Sequence, residues 1–191
     1  FSFNSDTNII HRINNLIFCL VIFQYNNLDT NIVIKNINKL KPVVGRGLIY
    51  NKKLNNIKIK FIDETYNANP DTMRQSINYF NFIKIKSFEK ILILGDMNEL
   101  GKLSKKFHLE ILKYVEKYKF NKVILCGKFF VLAIKKINKP FNQYIIKNDE
   151  NELIEYIKNN LKKNCIIMAK CSNSTSVNKF GQKIQNINDV H

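Results

Sequence analysis

The sequence has no tryptophan, and it contains few prolines, glycines and arginines among its 191 residues. So little proline and glycine excludes a collagen-like or low-complexity chain, and a hydrophobic share of 45% excludes a disordered one. The longest apolar run, residues 16–23, falls far short of the roughly twenty residues that a membrane-spanning helix needs. It has neither a basic segment before it nor a small-residue cleavage site after it, which argues against a signal peptide. The composition therefore predicts a globular chain with its own core.

The four cysteines show no Cys-x-x-Cys spacing. Three of them, Cys19, Cys126 and Cys165, lie inside apolar runs, where a thiol usually behaves as a small buried hydrophobic group. Reduced thiols are the simplest interpretation, and they favour a cytoplasmic location. The chain begins with Phe1, so we expect it to be a piece of a longer protein.

A formal net charge of +16 raises the possibility of a nucleic-acid partner. The lysines, however, are scattered along every predicted helix and are not interleaved with aromatic residues. Arginine, the usual residue for fork-like phosphate contacts, is scarce. We therefore expect no nucleic-acid partner; a basic binding module would instead show an affinity that falls steeply with salt.

Two helices are predicted at the start of the chain, over residues 8–25 and 30–40, from apolar positions at helical spacing. Residues 41–47 have the composition of a linker, because one proline and two glycines interrupt any helix there. Beyond the linker, apolar strands alternate with helical patterns. The strands are predicted at residues 57–62, 91–94, 123–125, 144–146 and 166–169, with Asn69 and Ser104 as caps of the helices that follow the first two. This alternation predicts a doubly wound, mainly parallel, Rossmann-like α/β sheet of about five strands.

Polar residues follow these strands directly, at Asp63-Glu64, Gly95-Asp96, Gly127-Lys128 and residues 170–172. Parallel strands bring such residues to one edge of the sheet, where ligands bind in open α/β folds. Carboxylates there can orient a ribose or a magnesium-bound water, and lysines can hold phosphate or carboxylate. The alternative is that polar residues simply mark the ends of buried strands.

Two exact strings are more specific. Residues 62–70 read Ile-Asp-Glu-Thr-Tyr-Asn-Ala-Asn-Pro, and residues 95–101 read Gly-Asp-Met-Asn-Glu-Leu-Gly. Together with His108 they resemble the C-terminal domain of the Mur ligases. Residues 11–16 are similar to that family's helix entry at the end of the central ATP-binding domain, and residues 44–46 to its arginine-bearing linker. The resemblance implies that residues 1–44 are the helical end of the central domain and residues 45–191 the C-terminal domain.

The resemblance also implies a reaction in peptidoglycan precursor synthesis. ATP phosphorylates a substrate carboxylate, an incoming amino group attacks the acyl phosphate, and an amide forms as phosphate leaves. Within the family, the strings look most like those of the member that joins D-alanyl-D-alanine to UDP-N-acetylmuramoyl-tripeptide. Expected cofactors are ATP and Mg²⁺, held mostly by N-terminal and central domains that this sequence lacks and that we expect as partners.

The family's functional residues map onto named positions. The resemblance implies that Asn15 contacts adenine, that Arg46 reaches the nucleotide, and that Asp63 or Glu64 lies near the ribose. His108 is the candidate catalytic residue, although a lone histidine is more often structural. The candidate substrate-binding residues are Asn67, Asn69, Asp96, Lys170 and Ser172.

The chain departs from the family pattern in three places. A final motif resembling Lys-Gly-Ser-Arg is Lys-Cys-Ser-Asn at residues 170–173, Asn178 replaces an expected acidic residue, and Glu64 replaces an aspartate. No Gly-x-x-x-x-Gly-Lys-Ser/Thr phosphate loop occurs in the sequence, so we expect no turnover by this chain alone. Two hypotheses remain: a ligase lobe that is active with its other domains, or a non-enzymatic remnant with residual nucleotide or partner binding.

Overall fold

A computed structural model describes residues 10–36, 39 and 43–187 of the chain. The chain divides into two compact units, Phe1–Pro42 and Val43–His191. The first unit contains helices α1 (Ile10–Tyr25) and α2 (Thr30–Asn36), where two helices were predicted. The remaining residues of those predicted helices, 8, 9, 37, 38 and 40, lie outside the described residues, as do residues 41 and 42 of the predicted linker.

Over its described residues, 43–187, the second unit is built on one six-stranded sheet. Its strands are β1 (Leu48–Leu54), β2 (Ile57–Glu64), β3 (Glu89–Gly95), β4 (Lys122–Cys126), β5 (Tyr144–Lys147) and β6 (Cys165–Lys170). Their spatial order is β1-β2-β6-β3-β4-β5, and every neighbouring pair is parallel except β1 with β2. The predicted doubly wound, mainly parallel sheet is confirmed.

Within residues 43–187, five α-helices cover the two faces of this sheet. They are α3 (Pro70–Phe82), α4 (Ser104–Val115), α5 (Lys128–Ile134), α6 (Glu150–Asn160) and α7 (Ser176–Gln185). The prediction that Ser104 caps α4 is wrong, because a 3-10 turn at Gly101–Leu103 precedes the helix. Ser104 is the first residue of α4, and its hydroxyl donates to the carbonyl of Gly101 at 2.9 Å.

The sheet has a hydrophobic core on each face because side chains alternate along a strand. In β3, Leu92 and Leu94 pack in the core formed with α3, α4 and α5. Ile91 and Ile93 pack in the opposite core, formed with α6 and α7. All four are fully buried, which explains why β3 is an unbroken apolar run.

Strand β1 was not predicted. It forms a hairpin with β2 through Asn55 and Asn56, which both have positive φ, at 47° and 67°. Asparagine tolerates this left-handed region and favours such two-residue turns. Because β1 lies at an edge of the sheet and buries little besides Lys52, its sequence lacks the apolar run of an inner strand. The sheet therefore has one strand more than the sequence pattern indicated.

Candidate active site

The loops that follow β2, β3 and β6 meet at the carboxyl edge of the sheet, as parallel strands require. They enclose a cavity of about 480 Å³. Most of its lining consists of neutral polar side chains, and the lining residues are Tyr66, Asn67, Ala68, Asn69, Asn98, Glu99, Leu100, Ser172, Asn173 and Ser174. Both strings singled out in the sequence contribute to this cavity, together with residues 172–174. We call it the loop cavity.

The β2–α3 loop is fixed by the cap of α3. The side-chain oxygen of Asn69 accepts from the backbone nitrogen of Thr72 at 2.9 Å, and the hydroxyl of Thr72 accepts from the backbone nitrogen of Asn69 at 3.1 Å. Pro70 occupies the first turn, as the sequence predicted. This capping box accounts for Asn69 structurally and aims Asn67, which is exposed, at the loop cavity.

A buried ion pair lies at the ends of β2 and β6. The ammonium of Lys170 is 3.3 Å from a carboxylate oxygen of Glu64, and the two side chains are 3% and 5% exposed. Lys170 also donates to the backbone carbonyl of Asn67 at 3.0 Å. The other Glu64 oxygen, Oε1, has no hydrogen-bond partner among the described residues. The pair thus ties the end of β6 to a loop that lines the cavity.

Ser172 links the three loops. Its hydroxyl accepts from the backbone nitrogen of Asn98 at 2.8 Å and donates to the carbonyl of Ala68 at 3.3 Å. Its backbone nitrogen donates to the carbonyl of Asp96 at 3.1 Å. Because one side chain contacts the loops after both β2 and β3, the shape of the loop cavity depends on this serine.

Asp63 lies wholly inside the protein and organises the turn that carries Arg46. Its carboxylate accepts from the backbone nitrogen of Gly45 at 3.0 Å and from the hydroxyl of Thr65 at 2.7 Å. Gly45 has a φ of +75°, and a β-carbon there would lie 2.8 Å from that of Tyr66, so this turn requires glycine. The exposed guanidinium of Arg46 lies 4.4 Å from the centre of the Tyr66 ring. Asp63 therefore positions Arg46, while its own carboxylate is closed to solvent.

Asp96 lies after β3 but outside the lining of the loop cavity. Its carboxylate accepts from the backbone nitrogens of Phe129 and Phe130, at 3.1 to 3.2 Å, at the start of α5. The Gly127 that precedes this helix has a φ of +146°, and a β-carbon there would lie 2.5 Å from the Asp96 carboxylate. The structure thus gives Asp96 a helix-capping contact.

His108 is fully buried on α4. Its Nε2 accepts from the backbone nitrogen of Met97 at 3.0 Å, so Nδ1 carries the proton and donates to the carbonyl of Ser104 at 2.6 Å. Burial lowers the pKa of His108, against the opposing effects of the Ser104 carbonyl and the Asp96 carboxylate. The imidazole is therefore neutral, and it holds the turn after β3 in place.

Apart from Arg46, the predicted site residues of the second unit therefore fall into three groups. Asn67, Asn69 and Ser172 line the loop cavity. Lys170 and Glu64 form a buried ion pair, and Lys170 donates to the carbonyl of the lining residue Asn67. Asp63, Asp96 and His108 hold neighbouring turns. Asn15 is exposed on α1 in the first unit. The structure also places Tyr66, Asn98 and Glu99 in the lining, and the sequence analysis did not select them. All three lie inside the strings 62–70 and 95–101, so membership of these strings could have identified them.

The described residues contain no group of three or more histidine, cysteine, aspartate or glutamate side chains that could hold a metal ion. No helix in the described part of the chain has the length and apolar character needed to cross a membrane.

Known proteins resemble this chain in both sequence and fold. A family model described as Mur ligase, glutamate ligase domain, matches residues 49–173. The UDP-N-acetylmuramoyl-tripeptide--D-alanyl-D-alanine ligase of Rickettsia prowazekii (strain Madrid E) is 30% identical over 174 residues, which cover 89% of this chain and 36% of that protein. The enzyme of the same name from Bacillus subtilis (strain 168) is 27% identical, with 85% and 35% covered. The chain thus spans little more than a third of the length of these relatives.

Solved structures share the fold. MurF from Acinetobacter baumannii aligns with a TM-score of 0.73 at 20% identity, covering 91% of this chain and 37% of that one. MurF ligase from Thermotoga maritima, solved in complex with ADP, aligns with a TM-score of 0.65 at 23% identity, covering 87% and 36%. Because the family model matches more than half of the residues, and matches the sheet and strand-end loops that form the cavity, the chain belongs to the Mur ligase family, of which it carries the C-terminal domain.

Proposed function

We propose that this chain is the C-terminal lobe of an ATP-dependent amide ligase that adds D-alanyl-D-alanine to UDP-N-acetylmuramoyl-tripeptide in peptidoglycan precursor synthesis. The observation that carries the proposal is the loop cavity, which both family strings form jointly with residues 172–174. The names of the curated relatives support the choice of substrates. The four cysteines are free, which supports a reducing, cytoplasmic location.

The loop cavity suits a small peptide-like substrate. Its volume of about 480 Å³ lies within the range of ligand pockets, roughly 300–1,000 Å³. The asparagine side chains offer both donors and acceptors, which complement the peptide groups and carboxylates of such a substrate. Catalysis of amide formation depends on holding an amino group against an activated carboxyl group. In this proposal Asn67, Asn69 and Ser172 hold the substrate, and Lys170, Asp96 and His108 position the loops that carry them.

The nucleotide is proposed to lie near Arg46. ATP, when bound, supplies the activation of the substrate carboxylate. The exposed guanidinium of Arg46 can hold phosphate in fork geometry, and the buried Asp63 fixes the turn that presents it. Glu64 acts through Lys170 on the loop after β2. The sequence has no phosphate loop, so the proposed ligase requires further domains to bind the ATP phosphates and magnesium.

The alternative is a folded remnant without catalysis, and it rests on the altered final motif. Cys171 is fully buried with its sulfur 3.6 Å from the carbonyl of Thr65, and the amide nitrogen of Asn178 donates to the same carbonyl at 3.0 Å. Both residues are thus built into the fold. Cys171 and Asn178 are therefore compatible with a folded chain whether it is a ligase lobe or a remnant. Only a measurement of activity distinguishes these two hypotheses.

The test is phosphate release that depends on both substrates, measured for this chain alone and mixed with the N-terminal and central domains of the Bacillus subtilis relative. We expect turnover in the mixture only. Arg46→Ala should raise the KM for ATP while the KM for the dipeptide stays constant. Lys53→Ala, which removes one exposed positive charge from β1, is the matched control and should change neither. A folded chain with no turnover in the mixture would favour the remnant.

A further inference from the structure

We infer that Glu99 binds the free ammonium group of the amine substrate in the loop cavity, and so selects a ligand with an unblocked amino terminus. This inference rests on the proposed function for the identity of that substrate. It concerns binding and involves no covalent step by Glu99. Its basis is the charge, the backbone conformation and the contacts of this one side chain.

The charge of the loop cavity points to a cationic group. Glu99 carries the only carboxylate among the described lining residues, and none of those residues is a lysine or an arginine. The chain as a whole has a net charge of +16, so its overall field does not attract cations. The Glu99 carboxylate gives the lining of the loop cavity a negative charge in a chain whose net charge is positive. A carboxylate complements an ammonium group by a charge-assisted hydrogen bond.

The backbone conformation of Glu99 has a steric cost. Its φ is +63°, in the left-handed region that residues with a β-carbon seldom adopt. Ser174, another non-glycine lining residue, also has a positive φ, at 62°. Strained residues of this kind persist where the surrounding structure fixes them, and they cluster at ligand sites. Two of the seven non-glycine residues with positive φ in the described part of the chain thus lie in the lining of this cavity.

Hydrogen bonds fix the loop around Glu99 but leave its carboxylate without a partner in the described part of the chain. The backbone nitrogen of Asn98 donates to the hydroxyl of Ser172 at 2.8 Å, and its side-chain nitrogen donates to the carbonyl of Asn173 at 3.2 Å. Leu103 donates to the carbonyl of Leu100 at 3.1 Å on the other side. Glu99 is exposed and stands on a fixed turn, so its carboxylate is available to a ligand.

Direct binding tests this without ligase activity. D-alanyl-D-alanine and N-acetyl-D-alanyl-D-alanine are titrated against the whole chain by ¹⁵N–¹H NMR, which maps the site and gives both Kd values. We expect the free dipeptide to bind about two- to fivefold more tightly than the acetylated one, the size of one solvent-exposed ion pair. Glu99→Gln should remove this preference, and Glu99→Asp should retain part of it. Glu155→Gln, which removes an exposed carboxylate from α6, should leave both Kd values unchanged.

Failure of this inference is distinguishable from failure of the proposed function. If the mixture turns over but Glu99→Gln keeps the preference for the free amino group, the inference is overturned and the ligase proposal stands. If neither dipeptide shifts the resonances of the lining residues, the inference is overturned as well. A preference that disappears in Glu99→Gln supports the inference even when no turnover occurs.

Discussion

The buried pair of Lys170 and Glu64 gives the sharpest prediction. Lys170→Met keeps the length of the side chain but removes its ammonium. It leaves the Glu64 carboxylate, 5% exposed, without its partner at 3.3 Å, and it removes the hydrogen bond to the carbonyl of Asn67. Loss of one member of a buried pair costs about 3–5 kcal/mol because the remaining charge is uncompensated. That is a large part of a typical unfolding free energy of about 5–15 kcal/mol.

The assay is urea unfolding followed by far-UV circular dichroism, because the chain has no tryptophan. With a slope of about 2 kcal/mol per molar urea, the midpoint should fall by about 2 M. The double variant Glu64→Gln with Lys170→Met should recover about 2 kcal/mol, since the charge has been removed with its partner.

The matched control is Lys163→Met. Lys163 lies 3.9 Å from Glu89, and its side chain is 73% exposed. An exposed pair contributes about 0–1 kcal/mol, so this variant should unfold almost as the unchanged chain does. If Lys170→Met and Lys163→Met shift the midpoint equally, or if the double variant is no more stable than Lys170→Met alone, the reasoning about the buried pair is refuted.

Three further predictions use the same unfolding assay. Gly127→Ala should destabilise the chain by about 2–4 kcal/mol, because the new β-carbon meets Asp96 and φ is +146°. Gly101 has a φ of +52°, and a β-carbon there would meet no atom within 4 Å, so Gly101→Ala should lower the unfolding free energy by only about 1–2 kcal/mol. Equal losses of stability in Gly127→Ala and Gly101→Ala would contradict the predicted clash with Asp96. The pKa of His108 is lowered, mainly by burial. The contribution of His108 to stability is therefore complete above about pH 6.5 and is lost as the pH falls below that value. His108→Gln should reduce this dependence of the unfolding midpoint on pH. Glu116 directly follows α4, and its carboxylate accepts from the hydroxyl of Tyr144 at 2.7 Å and from the side-chain nitrogen of Asn142 at 3.0 Å. Burial raises the pKa of Glu116, but hydrogen bonds to its carboxylate outweigh this and lower the pKa, so its contribution to stability is present above about pH 4.3 and lost at lower pH. Glu116→Gln should reduce the difference in midpoint between pH 7 and pH 3, and an unchanged difference would contradict that assignment.

Much of the fold could be predicted from periodicity. The inner strands are unbroken apolar runs because both of their faces are buried, and β3 is the clearest example. The cap of α3 could be predicted from Asn69 and Pro70, since capping is a local interaction. The edge strand β1 could not, because it buries little apolar surface and its hairpin turn uses asparagine in a chain rich in that residue.

The sequence by itself determined the class of the fold, the family strings and the edge of the sheet where those strings meet, because these depend on local pattern and on the direction of the strands. Only the tertiary structure decided the role of each polar side chain there. Asp63 and His108 are enclosed and fully hydrogen-bonded, whereas Glu99 faces the loop cavity without a partner among the described residues. Whether a carboxylate or an imidazole is available to a ligand depends on burial and on partners distant in sequence, such as Gly45 for Asp63, which no local pattern specifies.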